Sequence, residues 1–326
     1  MAYRLKINEP FGKGVRRILK EQIELAAGKL GDTSDPERAV HDARKHLKRI
    51  RALLRLARPA MGDAAFTREN ARFREIGRSL AQARDFDVLA KTIDLLDEGN
   101  GLPLRAATRK LRACLAADRE KAEASGLKES KSKARAMLQE ALAAVADIKI
   151  PRGEFKLIRL GLHKTYRACQ KRLNNAYSAP SDDAFHEWRK TVQHHWRHAV
   201  LLSRAWPDEM AARVEAARDL SDALGKGQDL SLLAKFLQSS PTLKLSPKER
   251  ERVEQRCRSL QAELRTAARP RGHRLLAEKV EDFCDRMESY WRAARDIEKT
   301  GEAETAPQRH KAVAVCNGET RGKKSG

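Results

Sequence analysis

Aromatic residues make up only 5% of this 326-residue sequence. That scarcity weighs against a surface built to stack unpaired bases, which needs a ring for each base it holds. The five cysteines, Cys114, Cys169, Cys257, Cys284 and Cys316, stand singly with no C-x-x-C pair. An odd, dispersed set argues against a disulfide framework and for a reducing compartment. No window approaches the roughly eighteen uninterrupted apolar residues of a membrane-spanning helix. The opening MAYRLKINEPFGKGVRR lacks the apolar run of a signal peptide. A soluble cytoplasmic protein is therefore expected. No strand pattern of any length is found, which leaves an all-α class built as helical bundles. A phosphate-cradling G-x-x-x-x-G-K-[ST] loop is also missing, since neither Gly12-Lys13-Gly14 nor Gly225-Lys226-Gly227 has that spacing.

What is present is positive charge. Lys and Arg number 67 against 45 Asp and Glu, a net +22 that recruits anions and makes association salt-dependent. On charge alone the partner can be nucleic acid, a polyphosphate, an anionic membrane surface or an acidic protein. The charge is concentrated from Val40 to Pro59, VHDARKHLKRIRALLRLARP. At helical periodicity Val40, Ala43, Leu47, Ile50, Leu54 and Ala57 fall on one face. His41, Arg44, Lys45, Lys48, Arg51 and Arg55 line the other, with Arg49 on the shoulder and Asp42 the one carboxylate. Like charges at i,i+4 cost a helix a few tenths of a kcal/mol per pair. Tolerating that repulsion over several turns points to an external polyanion.

The device returns at Phe185 to Pro207, where His186, Arg189, Lys190, Arg197 and Arg204 oppose Phe185, Trp188, Val192, Ala199 and Leu202. His186 lies 145 residues after His41. At nearly the same offset Gly14-Val15-Arg16-Arg17 is echoed by Gly161-Leu162-His163-Lys164. Arg84-Asp85-Phe86-Asp87-Val88-Leu89 is likewise echoed by Gln228-Asp229-Leu230-Ser231-Leu232-Leu233. Three weak matches in one order indicate a tandem duplication of a helical unit.

Residues 1–11 read as an extended lead-in, 12–150 as a first helical half, 151–298 as a second half, and 299–326 as a disordered basic tail. In the first half, helices are expected over about 12–30, 36–57, 64–83 and 88–96, with two more within 104–147 divided near Ser125-Gly126. In the second half the expected spans are 154–176, 184–205, 208–225, 230–238, 247–268 and 272–297. Asp85, Asp87 and Asp229 are placed at helix starts as caps. The tryptophans are read as core residues, with only Trp196 partly exposed.

The segments Val40-His41-x-x-Arg44-Lys45-x-x-Lys48-Arg49-x-Arg51, Arg84-Asp85-x-Asp87-Val88-Leu89 and Phe185-His186-Glu187-Trp188-Arg189-Lys190 resemble the CHAD family of helical domains. The resemblance covers about Gly12 to Arg295. It implies two four-helix bundles related by pseudo-twofold symmetry and forming one body, with basic helices facing a central cavity. It further implies binding of inorganic polyphosphate and association with polyphosphate granules. Many relatives carry an N-terminal triphosphate-tunnel domain with a Glu-x-Glu-x-Lys strand. This sequence starts at the helical part, so that hydrolase activity is not carried over. Two departures stand out: Gln228 where the family often has histidine before the aspartate, and Gln193 where the first half has Lys48. Both lower the charge of the second basic face, so the first half is expected to bind more strongly.

Polyphosphate is a flexible line of unesterified oxygens, and rows of Arg and Lys at helical spacing complement it. The expected contacts in the first half are Arg16, Arg17, Lys20, His41, Arg44, Lys45, Lys48, Arg49, Arg51 and Arg84. In the second they are His163, Lys164, Arg167, His186, Arg189, Lys190 and Arg197. His41 and His186 either donate to phosphate or hydrogen-bond within a bundle contact. His195 projects with Trp188 and Phe185 as a core histidine, and His194 and His198 flank the apolar face. The spacing of His194 and His198 suits zinc, but nothing is placed to complete a ligand set. His186-Glu187-Trp188-Arg189-Lys190 has lysine where H-E-x-x-H needs its second imidazole. No metal, cofactor or catalytic residue is expected, and no membrane partner. The alternatives are non-specific nucleic-acid binding through backbone phosphates and a metal-dependent phosphohydrolase.

Overall fold

The computed structural model describes residues 3–301, apart from residues 33, 81, 99–100, 125–126, 152 and 241–242. Among these residues there are eleven helices and no strand: α1 Phe11–Gly31, α2 Pro36–Met61, α3 Asp63–Ser79, α4 Gln82–Asp97, α5 Leu102–Ala124, α6 Leu127–Ala143, α7 Phe155–Ser178, α8 Asp182–Leu202, α9 Pro207–Ser239, α10 Pro247–Leu275 and α11 Val280–Thr300. None is long and apolar enough to cross a membrane. The basic tail expected over 299–326 falls mostly outside the described residues.

Local chemistry sets the helix ends. Asp35 caps α2 by accepting from the Arg38 amide at 2.9 Å, ahead of Pro36 at the first helical position, and Gly62 ends it at φ 84. Pro59 does not end α2 as the sequence suggests. It lies in the last turn, where few carbonyls remain to be disturbed. Ser181 caps α8 through the Ala184 amide at 3.1 Å, and Ser246 with Glu249 forms a capping box on α10.

The predicted apolar stripes of α2 and α8 are all buried: Val40, Ala43, Leu47, Ile50, Leu54 and Ala57 on one, Phe185, Trp188, Val192, Ala199 and Leu202 on the other. Each large aliphatic residue so placed contributes about 1.5–3 kcal/mol. The main cluster runs through α1, α2, α3, α6, α7, α8, α9, α10 and α11 and includes the lead-in residues Tyr3, Leu5 and Ile7. A second cluster joins Leu89, Ile93 and Leu96 of α4 and Ala107 and Leu111 of α5 to Leu230, Leu233 and Leu237 of α9 and Val253 of α10. Both clusters draw on residues before and after 150.

The lead-in alternates, with Tyr3, Leu5 and Ile7 buried and Arg4, Lys6 and Asn8 exposed, and it turns at residues 7–9, where the Glu9 amide donates to the Lys6 carbonyl at 3.4 Å. It straps the halves together. The Tyr3 hydroxyl donates to the Arg49 carbonyl of α2 at 2.7 Å, and the Leu5 amide donates to the Leu201 carbonyl of α8 at 2.9 Å.

Several sequence expectations need correction. α9 is one continuous helix through Gly225-Lys226-Gly227, not two. Packing overrides the two glycines: Gly225 is buried, beside the Arg189 guanidinium, and Gln261 of α10 donates to the Gly227 carbonyl at 3.1 Å. Asp229 is therefore inside a helix and caps nothing. Asp87 is also internal, because α4 begins at Gln82; it pairs with Arg119 at 3.7 Å. The Asp85 side chain lies outside the described residues. Trp206, not only Trp196, reaches the surface: it is 45% exposed and meets Tyr290 edge-on.

Candidate anion-binding groove

Three helices from the two halves build the site. α7 crosses α2 at Gly161, where an added Cβ would stand 2.0 Å from the Leu56 carbonyl oxygen, so only glycine permits this approach. α8 is tied to both by His198, whose Nε2 lies 2.9 Å from the Ala52 carbonyl oxygen and Nδ1 3.2 Å from Thr165 Oγ1. The carbonyl can only accept, so in the neutral ring Nε2 carries the hydrogen. Burial pushes the His198 pKa down to about 4, which keeps this neutral form at physiological pH.

Above this junction lies a groove of about 510 Å³. α2 supplies Lys48, Arg51, Arg55 and Arg58; α7 supplies Lys164, Thr165, Ala168 and Arg172; α8 supplies His186, Glu187, Arg189, Lys190, Thr191, Gln193, His194 and Arg197. Nine Lys and Arg side chains thus face one carboxylate, and no Phe, Tyr or Trp lines the walls.

The cations are held against their preference. Burial lowers the pKa of Arg51, with Arg74 adding to the effect, and that of Arg55, with Arg51 and Arg58 adding to it. Arg197 is only 8% exposed; burial brings its pKa down to about 10, and Nη1 donates to the Gln193 carbonyl at 2.9 Å. Arg51 Nε donates to Asn70 Oδ1 at 3.1 Å. Arg55 and Arg58 lie over the Phe66 ring at 5.4 and 4.8 Å, and Arg58 also pairs with Asp63 at 2.7 Å. Glu187 is held by Lys190 at 2.5 Å. The His186 pKa is lowered by burial, then by Lys190 and Arg189. That of His194 is driven well down by burial, then by Arg55, His198, Arg197 and Arg51.

Of the residues predicted from sequence, Lys48, Arg51, Lys164, His186, Arg189, Lys190 and Arg197 come together here. The others do not line the groove. Arg44 Nη1 donates to the Gly77 carbonyl at 2.6 Å, satisfying the last turn of α3. Lys45 pairs with Asp42 at 3.0 Å, and His41 is exposed on the first turns of α2. Arg49 sits over the Tyr3 ring at 5.7 Å. Arg16 Nη1 donates to the Ile148 carbonyl at 3.2 Å, Arg17 pairs with Glu9 at 2.7 Å and Glu21 at 3.2 Å, and exposed Lys20 lies 3.9 Å from Glu24. His163 Nε2 is 3.2 Å from Glu281 of α11, and Arg167 is exposed on α7. The side chain of Arg84 lies outside the described residues.

The sequence reading left out Arg55, Arg58, Arg172 and His194 as contacts. Arg55 was already visible on the basic stripe of α2; Arg58 continues that stripe by one turn. Arg172 has no such signal, because only the crossing at Gly161 turns its side of α7 into a wall. Four of the nine cations come from the first half and five from the second, so Gln193 and Gln228 do not leave the second face depleted. Gln228 instead hydrogen-bonds His186. His195 is a core histidine as expected, accepting from Arg213 Nε at 3.3 Å and packed against Tyr166 and Phe283. Among the described residues no three His, Cys, Asp or Glu side chains gather as metal ligands would.

These helices and this groove define an all-α protein with a concave, strongly cationic surface shared by two halves. The chain belongs to the CHAD domain family, whose model matches residues 13–238. Two solved structures share the fold. PptA from Streptomyces chartreusis is similar at 17% identity and a TM-score of 0.58, over 83% of this chain and 100% of that one. The crystal structure of the CHAD domain from the plant Ricinus communis is similar at 18% identity and a TM-score of 0.55, over 84% of this chain and 93% of that one. No curated protein matches the sequence.

Proposed function

We propose that this protein binds inorganic polyphosphate in the groove between α2, α7 and α8, as a binding module without catalysis, and associates through it with polyphosphate granules. The observation that carries the reading is the lining itself: nine cations, one carboxylate and no Phe, Tyr or Trp. A groove for unpaired nucleic acid gains about 1–3 kcal/mol from each base stacked on an aromatic side chain, and no Phe, Tyr or Trp lines these walls. A bare phosphate chain needs only charge and donors, which Arg and Lys supply. Family membership supports the same ligand.

Competition at fixed ionic strength tests the reading. Polyphosphate is expected to displace labelled RNA at far lower phosphate concentration than RNA displaces labelled polyphosphate. Equal or reversed displacement would give the groove to nucleic acid. With magnesium or manganese the purified protein is expected to release no phosphate from polyphosphate, and sustained release would replace this reading with a hydrolase.

A further inference from the structure

We infer that His186 and His194 are proton-coupled ligands of the polyanion: each ring is neutral in the free protein and takes up a proton as phosphate oxygens settle against it. The inference rests on the polyphosphate reading above and adds to it a dependence on pH and a residue, His194, that the sequence had set on the edge of the apolar face.

Geometry makes the case for His186. It lines the groove on the first turns of α8, with Gln228 of α9 bonded to its ring in the sense that favours the charged form. Its Nδ1 is buried and has no hydrogen-bond partner. A neutral imidazole keeps a lone pair on one nitrogen and a phosphate oxygen only accepts, so the ring serves a phosphate best when both nitrogens are protonated. The charged groups facing it are Lys190, Arg189 and Glu187 of its own helix, two cations against one anion.

His194 is ringed more completely. Arg51 and Arg55 face it from α2, and Arg197 and His198 from α8. His198 is committed to the Ala52 carbonyl and Thr165, and so stays a neutral neighbour. Burial and these cations together disfavour a proton on His194 until an anion enters. Phosphate oxygens reverse that balance, because they cancel the field of the guanidiniums and give the ring an acceptor. Raising a pKa on binding means that binding takes up protons, so affinity increases as pH falls. Each ring can contribute at most about tenfold in affinity per pH unit between its free and bound pKa values.

Calorimetric titration of the full protein with long-chain polyphosphate, at neutral pH in two buffers of different ionisation enthalpy, reads the proton uptake. Wild type is expected to take up about one proton or more per bound protein, and to bind on the order of tenfold more tightly at pH 6 than at pH 8. In the His186→Gln/His194→Gln variant the uptake is expected to vanish and the affinity to become flat over that range. Binding without uptake, or uptake that survives in the variant, overturns the inference while leaving the polyphosphate reading standing. Absence of any binding heat from wild type at low salt would instead defeat that reading. Should the variant fail to fold, the ring-proton resonances of the wild-type histidines decide. Two midpoints are expected to rise on adding polyphosphate, and unchanged midpoints overturn the inference.

Discussion

Replacing three groove cations by glutamine, in Arg55→Gln/Lys164→Gln/Arg172→Gln, isolates the electrostatic claim. By analogy with single-stranded nucleic acid, each phosphate contact contributes about 0.7 to the slope of log affinity against log salt. Nine engaged cations would then give a slope of about −6, and the variant about −4. At 0.1 M salt each contact is worth about fivefold, so the variant is expected to bind on the order of 100-fold more weakly; at 0.3 M the loss should shrink to roughly tenfold. The convergence with salt is the signature, because a folding defect would not titrate away in this manner.

Stability should hardly move. The charge of Arg55 is disfavoured by burial and by Arg51 and Arg58, which offsets the loss of its contact with Phe66, worth about 0.5–1 kcal/mol. Lys164 and Arg172 are exposed. Fluorescence anisotropy of labelled polyphosphate over a salt series measures the slope, with Lys133→Gln/Lys235→Gln/Lys244→Gln as a control of equal charge change on surfaces away from the groove. The control should stay within about twofold of wild type, since exposed charges beyond a Debye length of roughly 10 Å are screened. A groove variant with wild-type slope and affinity would place the polyanion elsewhere and refute the assignment.

Three further outcomes follow from the same geometry. Glu187→Gln removes the one carboxylate of the groove and frees Lys190 from its ion pair, so polyphosphate affinity in the same assay should rise several-fold. Gly161→Ala drives a methyl group into the Leu56 carbonyl; urea denaturation should show a loss of about 3 kcal/mol, and binding should weaken because α2 and α7 are forced apart. Acid should destabilise the fold early. His46 and His198 have pKa values depressed to about 4 by burial, against about 6.5 when unfolded, so their contribution is complete above pH 6.5 and is lost as pH falls toward 4. About 3 kcal/mol per histidine is at stake, measurable as a falling urea midpoint across that window.

Much of the site could be read from periodicity alone. The buried stripes of α2 and α8 lie where spacing puts them, and Lys48, Arg51, His186, Arg189 and Arg197 meet because two amphipathic helices bury their apolar faces in one core. The repeat also marked Gly14 and Gly161, though not the reason for Gly161, which is the close approach of α7 to a carbonyl of α2. What periodicity does not carry is who answers a cation from afar. Arg16 and Arg44 have the right charge on the right face, yet carbonyls of Ile148 and Gly77, 132 and 33 residues away, use them to close helix and linker ends. Arg17 is taken by Glu9 in the same way. Local signals for a break failed at Gly225-Lys226-Gly227 because α8 and α10 clamp that turn from both sides.

The tension in this molecule lies between its core and its groove. Lining one concave surface with nine cations raises the energy of the folded state; burial, with neighbouring cations adding to it, lowers the pKa values of Arg51, Arg55 and Arg197. The helices cannot relax it by separating. Apolar clusters shared by both halves, the Tyr3 and Leu5 strap across α2 and α8, the Gly161 crossing and the His198 link all hold the three walls at fixed spacing. A rigid frame that keeps like charges together is preorganised for a dense anion, because the cost of assembling the charges is met in folding and the ligand only has to relieve it. The groove needs both basic helices: α2 alone would present one basic stripe to solvent, whereas α2 and α8 packed in one core turn their stripes toward a common hollow.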